Sequence, residues 1–215
     1  MRSAMTGPVR QDAAMALVLL AAGQARRFGG GKLSASLDGQ PLVLHAVSAL
    51  QEMAFSAGRF AVTSAQTPPL GGHGFTPIRL HPDGAPLSRS LALGIAAARQ
   101  AGATAAMIVL GDMPRVPTRH YRAMARHFDG DRLATLVDGR KQVPAIFAAR
   151  HFPALMALSG DRGAGALLQD AMALTLEAAL AADIDTRDDL ARAARQPAPD
   201  GKHGQPTACV KKTKG

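Results

Sequence analysis

The chain of 215 residues has no tryptophan, one tyrosine, seven scattered phenylalanines and a single cysteine. One cysteine, Cys209, allows no internal disulfide and no cysteine metal cluster, which fits a reducing cytoplasm. Few aromatic side chains means few stacking platforms, so the net charge of +9 is not read as a nucleic-acid signal. Part of that charge is peripheral. Residues 196–215 hold four lysines against Asp200, residues 1–14 hold Arg2 and Arg10 against Asp12, and +5 remains for the body. A moderately basic body suits a small polyanionic substrate. No apolar run reaches the roughly 18 residues of a membrane span, so no membrane partner is expected. The opening Met1–Pro8 has one early arginine, then polar residues and proline, and no export signal is expected there.

With 47% hydrophobic residues the chain can fill one large core. We expect one domain over residues 15–195. Residues 1–14 and the Pro-, Gly- and Lys-rich tail 196–215 are expected to be disordered, having little to bury. Within 15–195 apolar runs alternate with helical patterns, the mark of a layered α/β domain with a mostly parallel sheet. Predicted strands are Ala16–Ala22, Arg59–Ser64, Pro77–His81, Ala105–Leu110, Leu133–Val137, Val143–Ala148 and Leu174–Ala178. Predicted helices follow Pro41 and span Leu87–Ala101, Thr118–His127, Ala164–Met172 and Arg187–Ala194.

The first strand runs into Gly23-Gln-Ala-Arg-Arg-Phe-Gly-Gly-Gly-Lys32. Glycines let the backbone turn and approach an anion, while Arg26, Arg27 and Lys32 supply charge for phosphate oxygens. It is not a P-loop, because Leu33 follows Lys32 and no hydroxyl is placed to meet magnesium. Nor is it a G-x-G-x-x-G turn. By itself, a plain surface loop explains it equally well. Asp112 follows the apolar strand through Gly111, so its carboxylate should emerge at the strand's carboxyl end; the alternative is a turn aspartate before Met113-Pro114. Ser88 is read either as a substrate contact or as a helix cap, and Asp161 and Arg162 as acceptor contacts or a surface turn. Asp183 and Asp185 are left outside the site, because Asp185 or Thr186 suits the cap of the last helix, with Asp188 and Asp189 in its first turn. His45 is read as a packed or surface histidine.

Three segments together resemble the nucleotidyltransferases of the sugar-nucleotide and molybdenum-cofactor type. They are Leu20-Ala-Ala-Gly-Gln-Ala-Arg-Arg27-Phe-Gly-Gly-Gly-Lys32, then Leu37-Asp-Gly-Gln-Pro-Leu-Val43, then Val109-Leu-Gly-Asp-Met-Pro114. Within that group Leu87-Ser-Arg-Ser-Leu91, Leu158-Ser-Gly-Asp-Arg-Gly-Ala164 and Asp183-Ile-Asp-Thr-Arg-Asp-Asp-Leu190 resemble the molybdenum cofactor cytidylyltransferases. Ala25, His81-Pro82 and Gln142-Val143-Pro144 depart from the common pattern and bear on base and acceptor choice.

The resemblance implies a Rossmann-like, three-layer α/β/α fold and transfer of CMP from CTP to a molybdopterin phosphate, with Mg2+ as cofactor. It implies nucleotide contacts at Leu20, Ala21, Ala22, Gly23, Arg27, Lys32 and Ser88. Lys32, Arg27 and Asp112 become the catalytic set, with Asp112 on the metal. Ala21-Ala22 before Gly23 favours cytidine over guanosine. Guanylyl transfer, transfer to a sugar or alcohol phosphate, and a molybdopterin delivery chaperone remain as alternatives. Association with a molybdenum hydroxylase is compatible with any of them.

Overall fold

The computed structural model describes residues 14–23, 25, 27–196 and the backbone of Cys209–Val210. Arg26 and nearly all of the two terminal segments lie outside the described residues. In chain order the elements are β1 (Met15–Ala21), β2 (Ser36–Leu37), β3 (Gln40–Pro41), α1 (Leu42–Leu50), β4 (Arg59–Thr63), β5 (Thr76–Arg79), α2 (Leu87–Gln100) and β6 (Ala105–Leu110). There follow α3 (Thr118–His127), β7 (Arg132–Val137), β8 (Arg140–Ala148), α4 (Phe152–Met156), β9 (Met172–Thr175), α5 (Ala178–Ala181), α6 (Arg187–Ala193) and β10 (Cys209–Val210).

The main sheet has the order β10-β9-β7-β8-β6-β1-β4-β5. β1 lies between β6 and β4, parallel to both, and β4 continues parallel into β5. On the other side β8 runs antiparallel to β6 and β7, while β9 is parallel to β7. β1 is buried from both faces, which explains its unbroken apolar sequence. Its side chains alternate: Leu17, Leu19 and Ala21 face a core with Leu42, Val47 and Leu50 of α1 and Tyr121 and Met124 of α3. Ala16, Val18 and Leu20 face a second core with Leu91 and Ile95 of α2 and Phe152 and Leu155 of α4. The result is the expected three-layer α/β/α arrangement.

Several local expectations are corrected. Ala164–Met172 is not a continuous helix: a 3-10 turn covers Ala164–Leu167, and Met172 already opens β9. The strand foreseen at Leu174–Ala178 starts and stops earlier, since Ala178–Ala181 is helical. At the edge of the sheet the backbone of Cys209–Val210 pairs antiparallel with Leu174 and Ala173 of β9. β7 and β8 form a hairpin through Asp138 and Gly139, at φ 47° and 78°, the left-handed pair that a tight two-residue turn demands.

Candidate active site

The parallel strands β1 and β6 end side by side, and the amide of Gly111 donates to the Leu20 carbonyl at 3.0 Å. A side chain on Gly111 would come within 3.1 Å of Val43 Cγ2 in α1 and 3.4 Å of Ala21 Cβ at the end of β1, so its absence lets the helix and the strand close in on it. Asp112 thus emerges next to Ala22 and Gly23, at the carboxyl edge where open α/β sheets collect ligands. Beyond Gly23, Gly29, Gly30 and Gly31 adopt φ of 86°, 93° and 62°, a left-handed run closed to most other residues. The amides of Phe28, Gly29 and Gly30 converge on the Ala25 carbonyl at 3.0–3.1 Å, and Gly31 donates to Gln66 Oε1 at 3.1 Å. These bonds turn the amides of Phe28–Gly31 inward on the loop and Gln66, and the charge of Arg27 and Lys32 is what this part of the loop offers an anion.

Lys32 is the centre of that charge. Its side chain is 8% exposed, and Nζ donates to Asp112 Oδ2 at 2.7 Å and to Asp185 Oδ1 at 3.3 Å. Arg27, largely exposed, reaches Asp185 Oδ2 at 3.4 Å. Burial is the largest single effect on Lys32 and opposes its charge, yet Asp112 and Asp185 together outweigh it and hold its pKa above the ordinary lysine value. The neighbouring Asp183 is pushed above the ordinary carboxyl range by desolvation, then by Asp185 and Asp112. Asp185 therefore belongs to the cluster that the sequence reading confined to Lys32, Arg27 and Asp112.

Two devices bring Asp185 there. The Ile184 amide donates to the Asp112 carbonyl at 2.9 Å, tying the two acidic segments by backbone. Thr186 and Asp189 form a capping box on α6, and Asp189 Oδ2 also accepts from the Asp185 amide at 3.1 Å. Thr186 is thus the expected cap, and the residue before it is free to serve the cluster.

A cleft of about 450 Å³ opens over this cluster, lined by Gly23, Arg27, Lys32, Leu87, Ser90, Asp161 and Asp185 among others. A smaller recess of about 210 Å³ shares Gly23 and Gly84 with it and adds Ala22, Gln66 and Asp83. Leu20 and Ala21 are buried in β1, with carbonyls engaged by Gly111 and Thr67, so they frame the cleft without lining it. Ser88 is also buried and off the cleft wall; its amide donates to Gly160 at 3.3 Å, and the helix cap is Pro86. Ser90, two residues further along α2, lines the cleft instead. His45 is structural, bonded to Gln40 and to the Leu37 carbonyl at 2.8 Å.

Asp112 Oδ1 is buried without a hydrogen-bond partner, a carboxylate oxygen left unsatisfied in the site. Among the described residues no group of three or more His, Cys, Asp or Glu side chains is arranged around a metal position. Two carboxylates with room for substrate phosphates nevertheless match what magnesium commonly takes.

A cation between two carboxylates, set below a cleft at the ends of parallel strands, defines an α/β site suited to a charged phosphate substrate. The chain belongs to the MobA-like NTP transferase domain family, which matches residues 17–179. The fold agrees. Rv0371c from Mycobacterium tuberculosis is similar with a TM-score of 0.71 and 19% identity, covering 85% of this chain and 99% of that one. A second structure of Rv0371c, in complex with manganese, has a TM-score of 0.65 and 18% identity, over 86% and 100% of the two chains. A CMP:2-keto-3-deoxy-manno-octonic acid synthetase complexed with CTP gives 0.61 and 15%, over 85% and 97%. No curated protein sequence matches the chain significantly. No helix among the described residues is long and apolar enough to cross a membrane.

Proposed function

We propose that this transferase joins CMP from CTP to the phosphate of a molybdopterin-type acceptor, with Mg2+ as its divalent ion. The observation that carries the reading is the meeting of Lys32 with Asp112 at 2.7 Å and Asp185 at 3.3 Å below the cleft. In the reaction an acceptor phosphate oxygen attacks the α-phosphorus of CTP. A new phosphorus–oxygen bond forms as the bond to the β-phosphate bridging oxygen breaks, and pyrophosphate takes the electron pair. Negative charge builds on the bridging and non-bridging oxygens, so stabilising it is the main task. A phosphate monoester is mostly ionised at neutral pH, with a second pKa of roughly 6, and needs no strong base.

Lys32 and Arg27 hold the triphosphate and offset the charge that develops on the departing pyrophosphate. Asp112 and Asp185 are the side chains that would hold a divalent ion, which supplies charge neutralisation to the phosphates when bound. Because both carboxylates already grip Lys32, its ammonium stays charged and aimed at the cleft. Ala22, Gly23 and the recess beside them are suited to the base, and Asp161 and Ser90 to the acceptor side. The CTP complex of a structural neighbour and the Ala21-Ala22 pair support cytidine, and the three closing motifs support the pterin. An intact cation and carboxylate cluster favours catalysis over a pure delivery role. A molybdenum hydroxylase receiving the product, in a reducing cytoplasm, is consistent with this assignment.

The test is pyrophosphate release with each of the four nucleoside triphosphates, Mg2+ and the pterin acceptor. CTP is expected to give the highest kcat/KM. Equal and negligible release with all four would overturn the reading.

A further inference from the structure

Arg115 is 2% exposed, and a buried guanidinium is costly unless it is held in place by good partners. Its Nη2 donates to Asp38 Oδ2 at 3.0 Å and to the Ala193 carbonyl, while Nε is buried without a partner. It does not line the cleft. Its two partners, however, lie on the segments that deliver the active cluster. Asp38, at φ 49°, is the tip of the β2–β3 hairpin, and the hairpin is joined to Lys32 by Ala35, whose amide donates to Lys32 and whose carbonyl accepts from Leu42. Ala193 ends α6, the helix whose cap follows Asp185 directly. Arg115 itself sits three residues after Asp112, in the next turn of the same connection, Pro114–Arg115, which is flanked by the buried Met113 and Val116.

Each delivering segment is weak by itself. The hairpin has two residues per strand and α6 has seven residues, both below the length at which such elements hold their shape alone. We infer that Arg115 is a positioning residue: one guanidinium, anchored beside Asp112, fixes the relative placement of Lys32, Asp112 and Asp185 without touching substrate. The consequence for turnover rests on the proposed nucleotidyl transfer; the consequence for Lys32 does not.

The test uses Arg115→Lys and Asp38→Asn in the full chain, with urea midpoints recorded so that rates are measured on folded protein. One readout is kcat and KM for CTP. The other is the acylation rate of Lys32 relative to Lys141, a lysine outside the cluster that donates to the Gln169 carbonyl. Both variants are expected to acylate Lys32 several-fold faster relative to Lys141. Both should also lose about 10- to 100-fold in kcat with KM little changed, as misplacement by an ångström can cost. A lower urea midpoint with an unchanged acylation ratio and unchanged kcat would make Arg115 merely structural and overturn the inference. A raised ratio in a protein whose wild type turns over no nucleotide would uphold the placement role and overturn the proposed reaction instead.

Discussion

His120 makes stability depend on pH in a way that can be worked through from its surroundings. The side chain is fully buried, with Nε2 at 2.9 Å from Thr135 Oγ1. Thr135 has one proton and donates it to the Pro144 carbonyl at 2.7 Å, so the imidazole must be the donor in the first bond. Nδ1 is buried with no partner, and a proton added there would find no acceptor. Burial, helped by the charge of Arg119, pushes the pKa from 6.5 down to about 4. Because the folded value is depressed below the unfolded one, the unfolded chain binds the proton first. The contribution is therefore complete above pH 6.5 and lost as pH falls towards 4. At about 1.4 kcal/mol per tenfold change, the loss is about 2 kcal/mol by pH 5 and about 3 kcal/mol by pH 4. Urea unfolding of the wild type and of His120→Gln across pH 4–8 measures it. The stability difference between the two should narrow by this amount on acidification. Parallel pH profiles for the two proteins would refute the reasoning.

Lys32→Ala and Asp112→Ala should each lower turnover by a factor on the order of 100 or more, measured as pyrophosphate release, with circular dichroism unchanged. Asp185→Ala should lower turnover by about tenfold or more, since it removes a carboxylate from Lys32 and Arg27 together; wild-type rates would return Asp185 to a capping segment only. Thr186→Ala should cost about 1 kcal/mol in urea melts through loss of the helix cap, and should also reduce kcat by loosening Asp185. Gly94→Ala would place a Cβ 2.4 Å from Val18 Cγ1 and 3.3 Å from Val62 Cγ2, where α2 crosses β1 and β4. Overpacking there should exceed the roughly 1 kcal/mol gained in helix propensity and leave the variant about 1–2 kcal/mol less stable by the same melts.

Long periodic segments were legible in the sequence because burial alone decides them. Thr118–His127 and Ala105–Leu110 occur with the foreseen ends, since one shows a single apolar face and the other is covered on both sides. Ala164–Met172 was not, because an alanine-rich composition supports a helix until Ala173 and Leu174 find partners on β7. Of the site, Lys32, Arg27 and Asp112 could be read because each sits in a local pattern beside a strand end. Asp185 could not, being 153 residues from Lys32 and already explained by the cap it adjoins. Its signal was the pair Asp183 and Asp185, two carboxylates where one cap needs a single oxygen. Arg115 left no local mark at all, because its partners come from a hairpin and a helix that the fold alone brings near.

The most direct measurement is a crystal structure of the protein with CTP and Mg2+ bound. The account predicts the triphosphate against Lys32 and Arg27, the ion on Asp112, and the base towards Ala22 and Gly23. A triphosphate lodged away from Lys32, or an ion held without Asp112, would contradict it.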